Sequence, residues 1–547
     1  MGWRFPIQFS DLQRRVDILI PESFPFSPAR IALVDRPDFL TWPHVERDGV
    51  LCLLQSHGTI SIDEPDGGIG VLLGLAFDLV ERCVKGKLDE DFKGEFRSYW
   101  MNSATTPERP ALSLLTPSPP SRLIRVWNGP QRAVLGETDE QIFAWLKNRN
   151  PGLTAHERRL VGGMLLWLDN ALIPADFPKT ANGIRLLAVR EGAVEILDEI
   201  AQQTPDSIFV AIGSTTANGP AIVGTEIKRP VAVRNNDPLT RGFRPSRVPE
   251  PVFTARYFGA QAAGRNPIDR VDPSWIHGRD HDARVEKLQN ATVVIAGCGS
   301  VGAPVAFALA RAGVRRLILV DKDALEGANV GRHPLGVPSI GKHKATELAR
   351  RLREELPHLQ VDSHVSNIQD ILRPDSPLQA VDLIVSALGD WPGESMLDEW
   401  HATSGCQFPI VYGWTEAYAA AGHAVIVTPP HGRFRDGVDA AGRPYLVVTQ
   451  WAAETRKYEP ACGAAFEPYG PVELGFVTSL VAQAALDSLL GSVDATHRIW
   501  LGRRKTLEAA GGQWSPALRH IAPHAVEGGT IIERRWDQLP TTKVQAA

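Results

Sequence analysis

The stretch from residue 292 to 312 constrains this chain more than any other. An apolar run at 292–296 leads into Gly297-Cys298-Gly299-Ser300-Val301-Gly302 and then into a helix-forming segment at 303–312. A strand that ends in such a turn and continues as a helix is the opening unit of a parallel α/β sheet. Glycine lets the backbone approach a phosphate at the turn, and the N–H groups of the following helix favour an anion. Pro304 falls in the first helical turn, where its missing N–H costs little. A second apolar run at 316–320 delivers Asp321 nineteen residues beyond Gly302, where a carboxylate can accept from ribose hydroxyls. A nucleotide is therefore the economical ligand. The glycine pattern alone suits nicotinamide and flavin enzymes as well as other nucleotide users.

The residues that follow decide among these. Asn329 and Arg332 stand just beyond the acidic strand end, Lys344 follows in Gly341-Lys342-His343-Lys344, and Asp390 comes after a strand predicted at 382–386. A dinucleotide has no triphosphate to neutralise, whereas ATP does. An arginine, a lysine and a carboxylate-held Mg2+ suit attack on the α-phosphate with pyrophosphate leaving. The plainer alternative makes these surface residues, with Asp390 capping a loop.

At 547 residues the chain should divide into two to four domains. Its 58 basic and 63 acidic side chains leave a net charge of −5, so no overall electrostatic footprint argues for nucleic acid or an anionic membrane. The N-terminus lacks the pattern of a signal peptide, and the apolar runs at 71–80 and 303–310 are too short to span a bilayer. A cytoplasmic protein is expected. Five cysteines without a CxxC pair fit a reducing compartment and exclude a clustered zinc site.

Prolines at 107, 110, 117, 119 and 120 predict a linker over 105–121. Before it, residues 1–104 read as a small α+β unit, with strands at 14–20 and 29–35 and an apolar helical stripe at 70–85. Residues 122–284 form an α/β middle domain, with an amphipathic helix predicted at 154–171, strands at 207–213 and 221–228, and a long connector at 229–280. Residues 285–547 form the nucleotide domain.

Two cysteines have telling surroundings. Cys462 lies in a Gly/Pro loop before a helical run starting at Glu473, where a thiolate can be exposed; the alternative is a small buried loop cysteine. Cys52 ends Asp48-Gly49-Val50-Leu51-Cys52, eight residues after His44 in Trp42-Pro43-His44, with Phe24-Pro25-Phe26-Ser27-Pro28 upstream. Cys298, inside the glycine turn, reads as packing, and Cys83 and Cys406 as core.

The set Gly297, Gly299, Gly302, Asp321-x-Asp323, Asn329-x-x-Arg332, Lys344 and Asp390 resembles the adenylation domain of the ThiF, MoeB and ubiquitin-activating family over roughly residues 285–490. The resemblance implies a Rossmann-like fold, with Asp321 and Asp323 at the nucleotide, Asn329, Arg332 and Lys344 on the phosphates and Mg2+ held by Asp390. It also implies adenylation of the C-terminal carboxylate of a small protein and transfer of the acyl group to a loop cysteine, here Cys462. The zinc-binding cysteine pairs of many members are absent.

The motifs around Cys52 resemble the Tyr-Pro-Phe, His-Pro-Asn and Gly-x-x-Cys-Leu segments of ubiquitin-conjugating enzymes, with His44 in place of asparagine as the expected oxyanion donor. The usual first helix is missing, so the domain is expected to be N-terminally trimmed. A noncatalytic fold relative with a buried Cys52 is the alternative.

Together the two ends are similar to bacterial fused activating and conjugating enzymes of antiphage cyclase operons. That resemblance implies a relay from Cys462 to Cys52 and then to an amine on a target protein. It also implies a cyclic-nucleotide synthase as the activated protein, a homodimer, and a middle domain that is a degenerate adenylation half. A carrier-protein adenylyltransferase for sulfur transfer and a noncatalytic scaffold that binds protein tails are the competing readings.

Overall fold

The computed structural model describes residues 2–54, 62–104, 108–149, 152, 159–231, 237–244, 247–373, 377–428, 432–458, 465–491 and 496–536. The chain divides into two compact units. One comprises residues 1–143 and 153–272, the other 144–152 and 273–547.

The first unit opens with an antiparallel meander of Gly2–Gln8, Gln13–Leu19 and Arg30–Leu33. Alternation in the middle strand turns Arg14, Val16 and Ile18 inward, as a half-buried strand requires. Helix Pro65–Val84 covers this face with Leu72, Ala76, Leu79, Val80 and Cys83, a helical stripe that shares one core with Val16, Ile31 and Leu33. Two short helices follow, Asp89–Gly94 and Phe96–Asn102. Phe96 and Trp100 are fully buried, and the Trp100 indole donates to the Gly224 carbonyl at 3.0 Å, which ties this region to the middle sheet.

That sheet has seven strands in the order Ile268–Arg270, Ala111–Ser113, Ala133–Gly136, Arg122–Asn128, Leu160–Leu168, Ser207–Thr216, Gly219–Lys228. It corrects three expectations. The proline-rich stretch is no free linker, because residues 111–115 are buried and 111–113 form a strand between two neighbours. The helix predicted at 154–171 is replaced, within the described residues, by the strand Leu160–Leu168. Its apolar run is buried without alternation, so periodicity could not separate strand from helix, and a side chain at Gly163 would lie 2.5 Å from Val126. The connector predicted at 229–280 contains helix Glu250–Tyr257, the edge strand Ile268–Arg270 and a buried Arg270–Asp272 ion pair. The sheet is mixed, with both parallel and antiparallel pairs.

The second unit holds an eight-stranded sheet. Gln360–His364, Arg316–Val320, Thr292–Ala296, Leu383–Ser386 and Ile410–Thr415 run parallel in that spatial order, and Ala421–Val427, Thr496–Leu501 and Thr530–Arg535 extend it antiparallel. Strand order reverses on either side of Thr292–Ala296, and a crevice opens at such a switch point beyond the carboxyl ends of the strands. Helix Pro471–Leu490 is long and apolar enough to cross a membrane by length and composition. In this fold its Leu474, Val477, Val481 and Ala485 are buried in the sheet's core. The sheet accommodates it at Gly413 and Gly422, where an added Cβ would lie 2.6 Å from Val481 and 2.4 Å from Val477.

Candidate active site

The crevice at the switch point is a cleft of about 400 Å³ lined by the glycine turn, Asp321, Asp323, Asn329, Arg332, His333, Lys344, Trp414 and Tyr469. The turn admits only glycine at two positions. Gly297 has φ +88° and a Cβ there would lie 2.5 Å from the Ala387 carbonyl oxygen, while one at Gly302 would lie 1.8 Å from that of Gly297. At Gly299 a Cβ would meet nothing within 4 Å, so this backbone faces open space in the cleft. Helix Gly302–Ala312 starts immediately behind it.

Asp321 does more than was expected of it. One carboxylate oxygen accepts from Cys298 N and the other from Asp323 N, both at 2.7 Å, so it fastens the turn as well as lining the cleft. Asn329 likewise accepts from Glu326 N at 3.1 Å. Lys344, at the head of helix Lys344–Glu355, donates to Asp323 at 3.3 Å with its side chain 12% exposed. Arg332 donates to the Ala328 carbonyl at 3.1 Å and lies 5.3 Å from the centre of the Tyr469 ring. His333 was missed by sequence reasoning, although it directly follows Arg332. Its Nδ1 accepts from Leu335 N, so Nε2 carries the proton and donates to the Cys298 carbonyl at 2.8 Å. Cys298 is fully buried and its thiol is raised well above the ordinary value by that burial, in keeping with a packing role.

Asp390 follows the cleft-lining Gly389 and is the N-cap of helix Trp391–Thr403, its Oδ2 accepting from Gly393 N at 3.0 Å. Glu394, one turn on, is pushed up to about 7 by burial and then by the charge of Asp390. The Asp390 carboxylate, directly after cleft-lining Gly389, is a hard oxygen ligand of the kind Mg2+ takes beside phosphates. Among the described residues no cluster of three or more metal-ligating side chains exists, so water and phosphate oxygens would complete the shell.

The other expected centre lies in the first unit. Cys52 is exposed in a pocket of about 430 Å³ lined by His44, Glu46, Glu95, Ser98, Tyr99 and Asn102. Burial of the sulfur, then Glu95 and Glu46, raise its thiol above the ordinary value. His44, at φ +60°, brings its backbone rather than its ring to the cysteine: its carbonyl accepts from Cys52 N at 2.8 Å, and its N–H donates to the Tyr99 hydroxyl at 3.0 Å. The imidazole Nε2 instead meets Asp91 at 3.2 Å. Cys83 is buried and pushed up to about 12. Cys406 is half-buried, with its sulfur accepting from Ser404 Oγ at 3.1 Å. Cys462 lies outside the described residues.

Residues 277–518 match the ThiF family, and residues 3–106 match prokaryotic E2 family B. The ThiF-like region thus lies behind the E2-like one, and each match covers less than half of the chain. The chain is 26% identical over 226 residues to ubiquitin-like modifier-activating enzyme 5 of Bombyx mori, covering 39% of this chain and 54% of the relative. It is 28% identical over 250 residues to the enzyme of the same name from Drosophila pseudoobscura pseudoobscura, covering 43% and 59%. The chain thus spans little more than half the length of these curated relatives. A crystal structure of E. coli MccB with MccA-N7isoASN aligns at 18% identity and a TM-score of 0.33, over 48% of this chain and 68% of that one.

Proposed function

We propose that this chain is a cytoplasmic ATP-dependent enzyme that activates the C-terminus of a partner protein and ligates it to an amine. The observation that carries the reading is the pairing, in one chain, of a glycine-turn cleft lined by Arg332 and Lys344 with a second pocket holding an exposed Cys52. In the first step a carboxylate oxygen of the tail bonds to the α-phosphorus of ATP and pyrophosphate leaves. Arg332 and Lys344 stabilise the charge that develops on the phosphates, and the backbone at Gly299 lets the nucleotide approach. Mg2+, held beside Asp390, would shield the leaving pyrophosphate.

A cysteine thiolate, assigned to Cys462, then bonds to the acyl carbon and AMP leaves. Thioester exchange moves the acyl group to Cys52, and a primary amine finally displaces that sulfur and loses a proton. The Cys52 thiol is harder to deprotonate than an ordinary one, so acceptance of the acyl group calls for a base or for the departing thiolate to take its proton. The order of the two domains supports placing the chain with fused enzymes of antiphage cyclase operons. On that reading the activated protein is a cyclic-nucleotide synthase and the working form a homodimer.

Pyrophosphate exchange into ATP, measured with the full chain, Mg2+ and a cyclic-nucleotide synthase as the proposed substrate, tests the first step. Asp390→Asn keeps the helix cap and removes the charge. It should lower exchange by at least about 10²-fold, a few kcal/mol of lost electrostatic stabilisation. Exchange at the wild-type rate would remove Asp390 from the metal site.

A further inference from the structure

Tyr469 is named by none of the motifs, yet it touches two separate parts of the phosphate machinery, Ser300 and Arg332. Its hydroxyl shares a hydrogen bond of 2.8 Å with Ser300 Oγ, inside the glycine turn. Its ring lies under the Arg332 guanidinium. Its side chain is also the wall between the nucleotide cleft and a neighbouring cavity of about 470 Å³ lined by Tyr418, Trp451, Phe476 and Trp500, for it lines both. The contacts given to Arg332 among the described residues are an aromatic face and the Ala328 carbonyl, not a carboxylate. The guanidinium is therefore oriented without being neutralised, which an arginine that must meet a triphosphate requires.

We propose that Tyr469 is a positioning residue for the nucleotide: its ring aims Arg332 at the phosphates beyond the α-position, and its hydroxyl fixes the glycine turn against the same side chain. This deepens the nucleotide half of the function proposed above and rests on it. Because Tyr469 sits two residues before helix Pro471–Leu490, which is packed into the sheet, its backbone is anchored independently of the nucleotide.

The test is binding of Mg–ATP and of AMP to the full-length protein by titration calorimetry, in wild type, Tyr469→Leu, Tyr469→Phe, Arg332→Ala and the Tyr469→Leu/Arg332→Ala double variant. Tyr469→Leu should weaken ATP by about tenfold and AMP by less than about twofold, since only ATP offers the phosphates that Arg332 reaches. Tyr469→Phe retains the ring and should recover most of the loss. The double variant should bind ATP no more weakly than Arg332→Ala, because the two residues act as one. Wild-type ATP affinity in Tyr469→Leu, equal losses for ATP and AMP, or additive losses in the double variant would each overturn the positioning role. A wild-type chain that binds neither nucleotide overturns the nucleotide site itself. One that binds ATP but never exchanges pyrophosphate with a partner removes only the proposed reaction.

Discussion

Glu394 is the side chain whose ionisation the fold most visibly alters near the nucleotide cleft. Burial and Asp390 favour its protonated form, so its contribution to stability is fully present below the ordinary carboxylate range and is lost as pH rises through about 7. Replacing it with glutamine removes that loss. Glu394→Gln should match wild type in thermal unfolding near pH 4 and exceed it at pH 8, by about 1–2 kcal/mol at the midpoint. A Tm difference that does not change with pH would mean Glu394 is ionised at an ordinary value. At this scale the glycines, Arg332 and Lys344 were legible because phosphate chemistry leaves few alternatives to them. Asp321 was only half legible, since a motif reports that a carboxylate stands there and not that both its oxygens already hold backbone N–H groups. Tyr469 belongs to no motif, and its partners at 300 and 332 are adjacent to it only after the sheet has formed.

Among the elements, the turn after strand Ile410–Thr415 depends on a buried polar chain. Glu416 accepts from Val448 N and Thr449 N, each at 2.8 Å, and from His423 Nε2 at 2.9 Å. His423 Nδ1 and His497 Nε2 lie 2.9 Å apart and share the next hydrogen bond of this chain. His497 is held well below the ordinary value by burial and then by His423, so its neutral form stabilises the fold at neutral pH, and that stability is lost as pH falls below about 6.5. Glu416→Gln would turn an amide NH2 or one weaker acceptor towards these donors. It should cost about 3 kcal/mol and strip hydrogen-exchange protection from the Val448 and Thr449 amides. Retained protection at those two amides would show that the segment is held by packing alone. The strands at 292–296, 316–320 and 382–386 and the helix at 303–312 were readable from the sequence to within a residue or so, because a buried parallel strand leaves a continuous apolar run between polar breaks. The middle domain was not: Leu160–Leu168 carries the same kind of run beside glycines, and only the neighbouring strands decide its state.

At the level of the whole molecule, Cys52 and the nucleotide cleft belong to different compact units. Activation and ligation should accordingly separate. Cys52→Ala should exchange pyrophosphate at the wild-type rate with the activated partner protein, while yielding no amine-linked product on denaturing gels. Lost exchange in this variant would show that the first unit takes part in adenylation. Both ends of the chain were legible because each carries residues that chemistry demands. The segment between them carries none, and its sheet recruits Ala111–Ser113 from the expected linker and Ile268–Arg270 from the expected connector.

Cys298 follows Gly297, which cannot be widened, and its thiol is fully enclosed, with the residue's N–H on Asp321 and its carbonyl on His333. An alkylating reagent can reach it only during an excursion in which the turn comes apart. The phosphate-binding turn thereby contains its own clock: the rate at which this sulfur is modified counts how often the turn opens, and any nucleotide that holds the turn together slows the count.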